Sequence, residues 1–174
     1  MKKLTTLSAL LVTCIFVSAQ NITIGTKGAV LNKTTVSENW QVSNFITEIG
    51  APERNREGFN KTHTYDKQGM VVFEKMINKQ PTGTLSEFQM YYHVATPTEV
   101  TPTGIFSGTL TFNDLKLTKA ISYEELLKHT EGWTLGKSYS LHSYRYTYPG
   151  ISVFFQFNDD ETELYKVSIG EFAK

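Results

Sequence analysis

A weak internal repeat, with a period of about 80 residues, constrains the fold more than any other feature of this sequence. Each copy contains an aromatic strand, a short turn with glycine, and a second, apolar strand. Gly69 of the first turn aligns with Gly150 of the second, and this alignment also places Tyr65 on Tyr146. Because neighbouring copies can share a sheet edge, we expect one sheet built from two similar halves.

The repeat also predicts the domain organisation. We assign repeat one to about residues 21–94 and repeat two to about residues 105–172, within a single domain that spans residues 20–174. The connector between the repeats, residues 95–104, is rich in Thr and Pro. Proline has no amide hydrogen for a sheet ladder, so this segment is a natural break between the two halves.

Each repeat is predicted to contain one helix. Apolar residues at i, i+3, i+4 and i+7 from Val42 form a helical stripe, which Gly50 ends. In the second repeat Ser122 and Glu125 form a capping box, and Gly132 is the termination signal. The predicted fold class is therefore α+β, with two tandem ββαβββ-like repeats that form a mostly antiparallel sheet. One helix per repeat covers one face of that sheet.

The chain resembles small bacterial envelope domains. Residues 45–52 end in Gly-Ala-Pro and lead towards a strand that carries Tyr65, which is similar to the tandem-repeat folds of the β-lactamase inhibitor protein and of the small lipoprotein of the outer-membrane assembly machine. The chain also resembles an uncharacterised bacterial exported family with a Tyr-Asp-x-x-Gly turn, matched by Tyr65, Asp66 and Gly69. The resemblance implies that fold, an envelope location and protein binding, and it implies no catalytic residue.

Residues 1–19 predict export through a cleavable signal peptide. Lys2 and Lys3 form the positive start, residues 4–17 form the apolar stretch, and small residues before Gln20 suit cleavage. The apolar stretch is too short to cross a bilayer, which takes about 20 apolar residues. We therefore expect a periplasmic or secreted protein with no stable membrane span.

Cleavage of the signal peptide would change the composition and the charge of the remaining chain. It removes the only cysteine, Cys14, and two of the 17 basic residues, which leaves 15 basic against 17 acidic residues. A faintly acidic domain has no electrostatic reason to bind nucleic acid. Anchoring as a lipoprotein through Cys14 stays an alternative, although Thr13 is a poor residue before a lipidated cysteine.

The sequence contains no recognisable catalytic, metal or cofactor motif. There is no Gly-x-Ser-x-Gly elbow, and the acidic run at residues 159–163 lacks the ligand pattern of a calcium loop. The four histidines are isolated in sequence, which is typical of surface or turn positions: His63, His93, His129 and His142. We therefore expect a protein that is not an enzyme and needs no cofactor.

Two acidic residues leave an alternative open. Asp66 lies in the conspicuous turn, and Glu74 lies in an otherwise apolar strand. A pair of carboxylates close in space would allow hydrolysis of envelope polysaccharide. Asp66 is also a candidate for a binding surface, and a lipocalin-like binder of small ligands is a further possibility.

The best functional hint is a row of tyrosines. Tyr144, Tyr146 and Tyr148 alternate along one strand, so their rings point to the same face. Tyr91 and Tyr92 of the other half could extend that face. If the row is exposed, it favours a non-enzymatic exported binding module whose partner is an envelope protein or glycan. The alternative is that the rings pack in the core.

Overall fold

The computed structural model describes residues 20–137 and 140–171. The predicted signal peptide, with Cys14, lies outside these residues. In chain order the elements are β1 (Asn21–Gly25), β2 (Gly28–Leu31), β3 (Thr34–Val36), α1 (Val42–Ile49), β4 (Arg54–Arg56), β5 (Lys61–Tyr65), β6 (Met70–Ile77), β7 (Gln80–Tyr91), β8 (Thr109–Phe112), β9 (Leu115–Leu117), α2 (Tyr123–Leu127), β10 (Thr134–Gly136), β11 (Ser143–Tyr148), β12 (Ile151–Phe157) and β13 (Leu164–Gly170).

The strands form two sheets. The small sheet has the order β3-β2-β1-β8-β9, and the large sheet has the order β10-β11-β12-β13-β7-β6-β5-β4. Strands β1 and β8 run parallel, whereas all pairs in the large sheet are antiparallel. Each half of the chain thus contributes four strands to the large sheet, and β7 pairs with β13 at the centre. The sequence repeat itself stays a prediction.

The predicted α+β fold, with one helix per repeat covering a single sheet, is wrong. Helix α1 has 8 residues and α2 has 5, which is too little to cover an eight-stranded sheet. The strands that open each half instead pair with each other, with Ile22 of β1 aligned with Leu110 of β8, and form a second sheet. Among the described residues no helix is long and apolar enough to cross a membrane.

The hydrophobic core lies between the two sheets. Phe112 of β8 packs edge-on against Phe155 of β12, with ring centroids 5.0 Å apart. Phe45 of α1 lies at the same distance, 5.0 Å, from Phe88 of β7. These rings are fully buried, and each stabilises the fold by about 1.5–3 kcal/mol relative to an exposed ring. The face of the large sheet that meets the small sheet is therefore its inner face.

Candidate binding groove

The opposite, outer face of the large sheet carries polar and small side chains. Along β12, Ile151, Val153 and Phe155 are buried on the inner side, so Ser152 and Phe154 point outwards. The outer face contains a solvent-open groove of about 870 Å³ that crosses strands β6, β7, β13, β12 and β11. Its volume exceeds that of three other concavities among the described residues, which measure about 670, 390 and 440 Å³.

Small residues form the floor of the groove. Ser152 lies directly opposite Gly170, and Ser168 lies opposite Phe154 on the neighbouring strand. Both serines are 7% exposed, because the longer side chains around them rise above their hydroxyls. A Cβ atom at Gly170 would come within 3.3 Å of the Cβ of Glu87, so glycine leaves the room that this carboxylate side chain uses.

Longer side chains form the walls. We call the whole site the outer groove; its floor and walls are Ser152, Ser168, Gly170, Glu87, Gln89, Arg145, Phe154 and Lys166. The register places Gln89 opposite Ser168 and Glu87 opposite Gly170, so the walls follow directly from the pairing of β7 with β13. The strand order therefore sets the floor and these walls, while Glu38, Asn39 and Lys137 from loops also line the groove.

Hydrogen bonds hold several of these side chains in place. The Tyr91 hydroxyl donates to Oε1 of Gln89 at 2.6 Å, and Nε2 of Gln89 donates to Oε1 of Glu87 at 2.5 Å. Burial raises the pKa of Tyr91 to about 12, so its hydroxyl remains a donor at neutral pH. On the other wall, Nε of Arg145 donates to Oγ of Ser152 at 2.9 Å, and its guanidinium also contacts Glu171.

Lys166 lies on β13, the middle one of the five strands that the groove crosses. It stands opposite Gln156 on β12 and Tyr91 on β7, and its ammonium is 5.7 Å from the centre of the Tyr91 ring. Burial lowers the pKa of Lys166, and the nearby charge of Glu87 acts in the opposite direction. The groove thus presents one partly desolvated cation beside fixed hydroxyl, amide and carboxylate groups.

The predicted tyrosine row lies on the inner face and not in the outer groove. Tyr146 is 2% exposed, and its hydroxyl is 3.3 Å from that of Tyr123. The Tyr144 ring stacks on Tyr123 with centroids 3.5 Å apart, and Tyr148 packs beside Trp133. The rings therefore contribute to the core beneath α2, which is the alternative that the sequence left open.

The other predicted surface residues are also separated from one another. Tyr91 and Tyr92 are both largely buried, but Tyr91 lies on the outer face at the edge of the groove, whereas the Tyr92 hydroxyl donates to the carbonyl of Leu117 at 3.4 Å. Asp66 forms an ion pair with Arg54 at 2.7 Å. The structure thus brings Tyr91 alone, among the predicted residues, next to the groove.

Glu74 is 4% exposed and lies on the inner face of β6. Its Oε2 is 3.1 Å from Nε2 of His63 and 3.4 Å from Nζ of Lys61, and its Oε1 accepts from the Gly83 amide. Nδ1 of His63 is 2.7 Å from Oδ1 of Asn55. Burial opposes the charged form, but the Gly83, His63 and Lys61 contacts outweigh it and hold the pKa of Glu74 below its usual range.

The remaining histidines do not gather at one place. His93 stacks on Tyr165, while His129 pairs with Asp114 and His142 with Glu161. The expectation of surface or turn positions is wrong for His63, which is buried. Within residues 20–137 and 140–171, no three His, Cys, Asp or Glu side chains come together as a metal site.

Sequence reasoning missed the residues that form the groove. A signal was present, because Ser152 interrupts the apolar residues of β12, and Lys166 and Ser168 alternate with Val167 and Ile169 in β13. Alternation identifies an outward face. It does not reveal that the two strands are neighbours, and this adjacency is what makes the floor.

The fold and the groove define a two-sheet β protein with a polar groove on its larger sheet. Within that class, the chain belongs to a family described as a domain of unknown function, DUF7738, whose model matches residues 21–127. The predicted membership of an uncharacterised family is confirmed, and the likeness to the tandem-repeat envelope folds gains no support. The match ends with α2, so Ser152, Lys166 and Ser168 lie beyond it.

The other comparisons add little. No curated protein matches the chain. Among solved structures, the chain is similar to an extracellular protein containing a SCP domain from Bacillus anthracis str. Ames, with 10% sequence identity and a TM-score of 0.49. The similarity covers 76% of this chain and 43% of that protein, so this chain spans less than half of its length.

Proposed function

We propose that this protein is an exported, non-enzymatic binding protein that holds a glycan of the bacterial cell envelope in the outer groove. One observation carries the proposal: Ser152, Ser168 and Gly170 form a cluster of small residues on two neighbouring strands of the large sheet, between long polar side chains that are already held by hydrogen bonds. Side chains fixed before binding lose little entropy when a ligand arrives.

The direction and chemistry of the groove favour a glycan. It crosses five strands, a distance of about 20 Å at the usual strand spacing, so it suits an extended ligand. A peptide that binds by strand addition needs an open sheet edge, and the groove lies on the face. Serine hydroxyls, Gln89 and Glu87 match the hydroxyl groups of a sugar, and Phe154 offers a ring surface for its CH groups.

The location rests on the predicted signal peptide. Export through residues 1–19 would deliver the protein to the periplasm or the exterior, where envelope glycans are present. Anchoring of the protein as a lipoprotein through Cys14 is the alternative location. The resemblance to tandem-repeat envelope domains, which implies protein binding, stays a prediction and adds no support to the glycan proposal.

The contacts of the two candidate acidic residues favour binding over hydrolysis. A glycosidase uses two carboxylates that flank the scissile bond. Both oxygens of Glu74 accept from internal donors, and both oxygens of Asp66 are bonded to Arg54. A lipocalin-like binder is also less favoured, because both sheets have two edge strands across the described residues.

Filling the groove tests the proposal. We expect Ser168→Trp to abolish co-sedimentation of the mature protein with insoluble envelope polysaccharide, because the indole would occupy the floor. Thr35→Trp is the matched control, since it places the same ring on an exposed position of the small-sheet edge strand β3. Thr35→Trp should bind like the unchanged protein, and both variants should keep the native circular dichroism spectrum.

Two results would overturn the proposal. One is full retention of binding by Ser168→Trp with a native spectrum, which would place the ligand elsewhere. The other is a failure of the unchanged protein to sediment with the polysaccharide at any salt concentration tested. If Ser168→Trp does not fold, Ser168→Gln provides a smaller obstruction at the same position, and a folded variant with unchanged binding would overturn the proposal equally.

A further inference from the structure

Lys166 is a partly buried charge in the outer groove. None of the ion pairs within the described ranges includes its ammonium group. The ammonium lies over the face of the Tyr91 ring, 5.7 Å from its centroid. The charge of Glu87 is near enough to raise the pKa of Lys166, but the Glu87 carboxylate accepts its hydrogen bond from Gln89.

The position of Lys166 limits how far it can turn away from the groove. Its backbone is in the middle of β13, paired on one side with Gln156 and on the other with Tyr91. The outward direction of the side chain is therefore set by the pleat of the sheet. A lysine that is partly desolvated without an anionic partner is unfavourable, because burial of a charge costs free energy unless the charge is paired.

The other cations of the groove are paired or are more exposed than Lys166. Arg145 contacts Glu171 and Ser152, so its charge is satisfied within the protein. Glu38 and two exposed lysines, Lys75 and Lys137, also line the groove. A ligand that entered the groove would therefore meet, at Lys166, a partly buried cation that has no ion pair among the described residues.

We propose that Lys166 holds an anionic group of the ligand, so that the glycan bound in the outer groove is an acidic one that carries carboxylates on its sugar rings. This inference rests on the proposed function. Charge complementarity supports it, since a carboxylate at Lys166 would replace the hydration that the ammonium has lost. The Tyr91 ring beneath the ammonium keeps the cation in place for that contact.

A pair of matched probes tests the inference. Oligogalacturonate carries one carboxylate on each ring, and its carboxyl-reduced form has the same linkages without the charge. Isothermal titration calorimetry with the mature protein should give an affinity for the acidic oligomer at least about 10-fold higher than for the reduced oligomer, as expected for one charge-assisted contact. The preference should decrease as the salt concentration rises.

Substitutions of Lys166 test whether this residue binds the carboxylate of the ligand. Lys166→Gln removes the charge and should eliminate the preference, so that the affinities for the acidic and the reduced oligomer come within about 2-fold of each other. Lys166→Arg keeps the charge and should retain most of the preference. Lys79→Gln is the control, because this exposed lysine lies on the β6–β7 hairpin outside the groove and its loss should change neither affinity.

The outcomes separate the two proposals. Equal binding of both oligomers, unaffected by Lys166→Gln but lost in Ser168→Trp, would overturn the acidic ligand and leave the glycan groove standing. Binding of neither oligomer, together with sedimentation unaffected by Ser168→Trp, would overturn both proposals. Tighter binding of polyglutamate than of oligogalacturonate would also overturn the acidic glycan, because the ligand would then be an acidic peptide.

Discussion

Arg54 and Asp66 form a two-point ion pair, in which Nε and Nη2 of the arginine each donate to a different carboxylate oxygen at 2.7 Å. The same guanidinium donates to the carbonyl oxygens of Thr98 at 3.0 Å and Thr101 at 2.9 Å. The Asp66 carboxylate also accepts from the Thr103 amide at 2.8 Å. One ion pair therefore ties the connector to the edge of the large sheet.

Asp66→Asn should release the connector. The amide cannot accept both arginine bonds, so we expect a loss of about 1–2 kcal/mol in the free energy of unfolding and faster proteolysis within residues 95–104. Arg54 holds the pKa of Asp66 below its ordinary value of 3.8. The stability from this pair is therefore present above about pH 4 and is lost as pH falls through the lowered pKa.

Urea denaturation and limited proteolysis at pH 7 and pH 3 measure this effect. Lys128→Gln is the control, because it removes an exposed pair with Glu125 and should leave the urea midpoint almost unchanged. A connector that is cleaved no faster in Asp66→Asn than in Lys128→Gln would contradict the assignment of Asp66 as its anchor.

Glu74→Gln tests the buried polar cluster of β5 and β6. The amide leaves His63 or Lys61 without its carboxylate partner, so we expect a loss of about 2–4 kcal/mol at pH 7. The pKa of Glu74 lies below its ordinary value of 4.5. Its stabilising effect is complete above that value and decreases as pH falls through the lowered pKa, so the variant should differ less from the unchanged protein at pH 3.

Glu131→Gln is the control for the loss of stability expected in Glu74→Gln. Glu131 is exposed, so its substitution should leave the urea midpoint almost unchanged at either pH. If Glu74→Gln were as stable as Glu131→Gln at pH 7, the carboxylate would not be holding the cluster together. Glu74 would then again be a candidate for the hydrolysis of a polysaccharide, because its oxygens would be free for other contacts.

Tyr146→Ala should destabilise the protein strongly. The ring is buried among Phe155 and Tyr123, and truncation would leave a cavity in the core, so we expect a loss of about 3–5 kcal/mol. Phe59→Ala is the control, since Phe59 is 97% exposed and its ring should contribute almost nothing to folding. Equal urea midpoints for the two variants would mean that the ring of Tyr146 is exposed and does not belong to the core.

The sequence contained enough information to locate many strands but not to assemble them. The segments around Gly69 and Gly150 are found as the pairs β5–β6 and β11–β12, because a period of two and a glycine turn are local signals. The pairing of β1 with β8 joins residues almost ninety positions apart, such as Ile22 and Leu110. Periodicity does not identify the strand with which another strand pairs. The predicted fold therefore lacked the second sheet and relied on the two helices to cover the face of the large sheet.

The same limit applies to the candidate site. Alternation correctly places Tyr144, Tyr146 and Tyr148 on one face, but both faces of this region carry large rings, since Phe154 points the other way. Which face is covered depends on the small sheet, which no local pattern predicts. Lys166 could be read as an outward residue of its strand, yet its lack of a carboxylate partner follows only from the side chains of the adjacent strands.

Gly69 and Gly150 occupy matching turns in the two halves, and they provide a test of how tightly the chain packs after the connector. Both have positive φ, 67° and 91°, so an alanine at either position costs about 1 kcal/mol in backbone strain. A Cβ at Gly150 meets nothing within 4 Å, whereas one at Gly69 would lie 2.1 Å from the Ile105 carbonyl carbon. Because backbone cannot yield as a side chain can, we expect Gly69→Ala to lose at least about 2 kcal/mol more than Gly150→Ala in urea denaturation. Equal losses would mean that the chain after the connector moves away from the turn without cost.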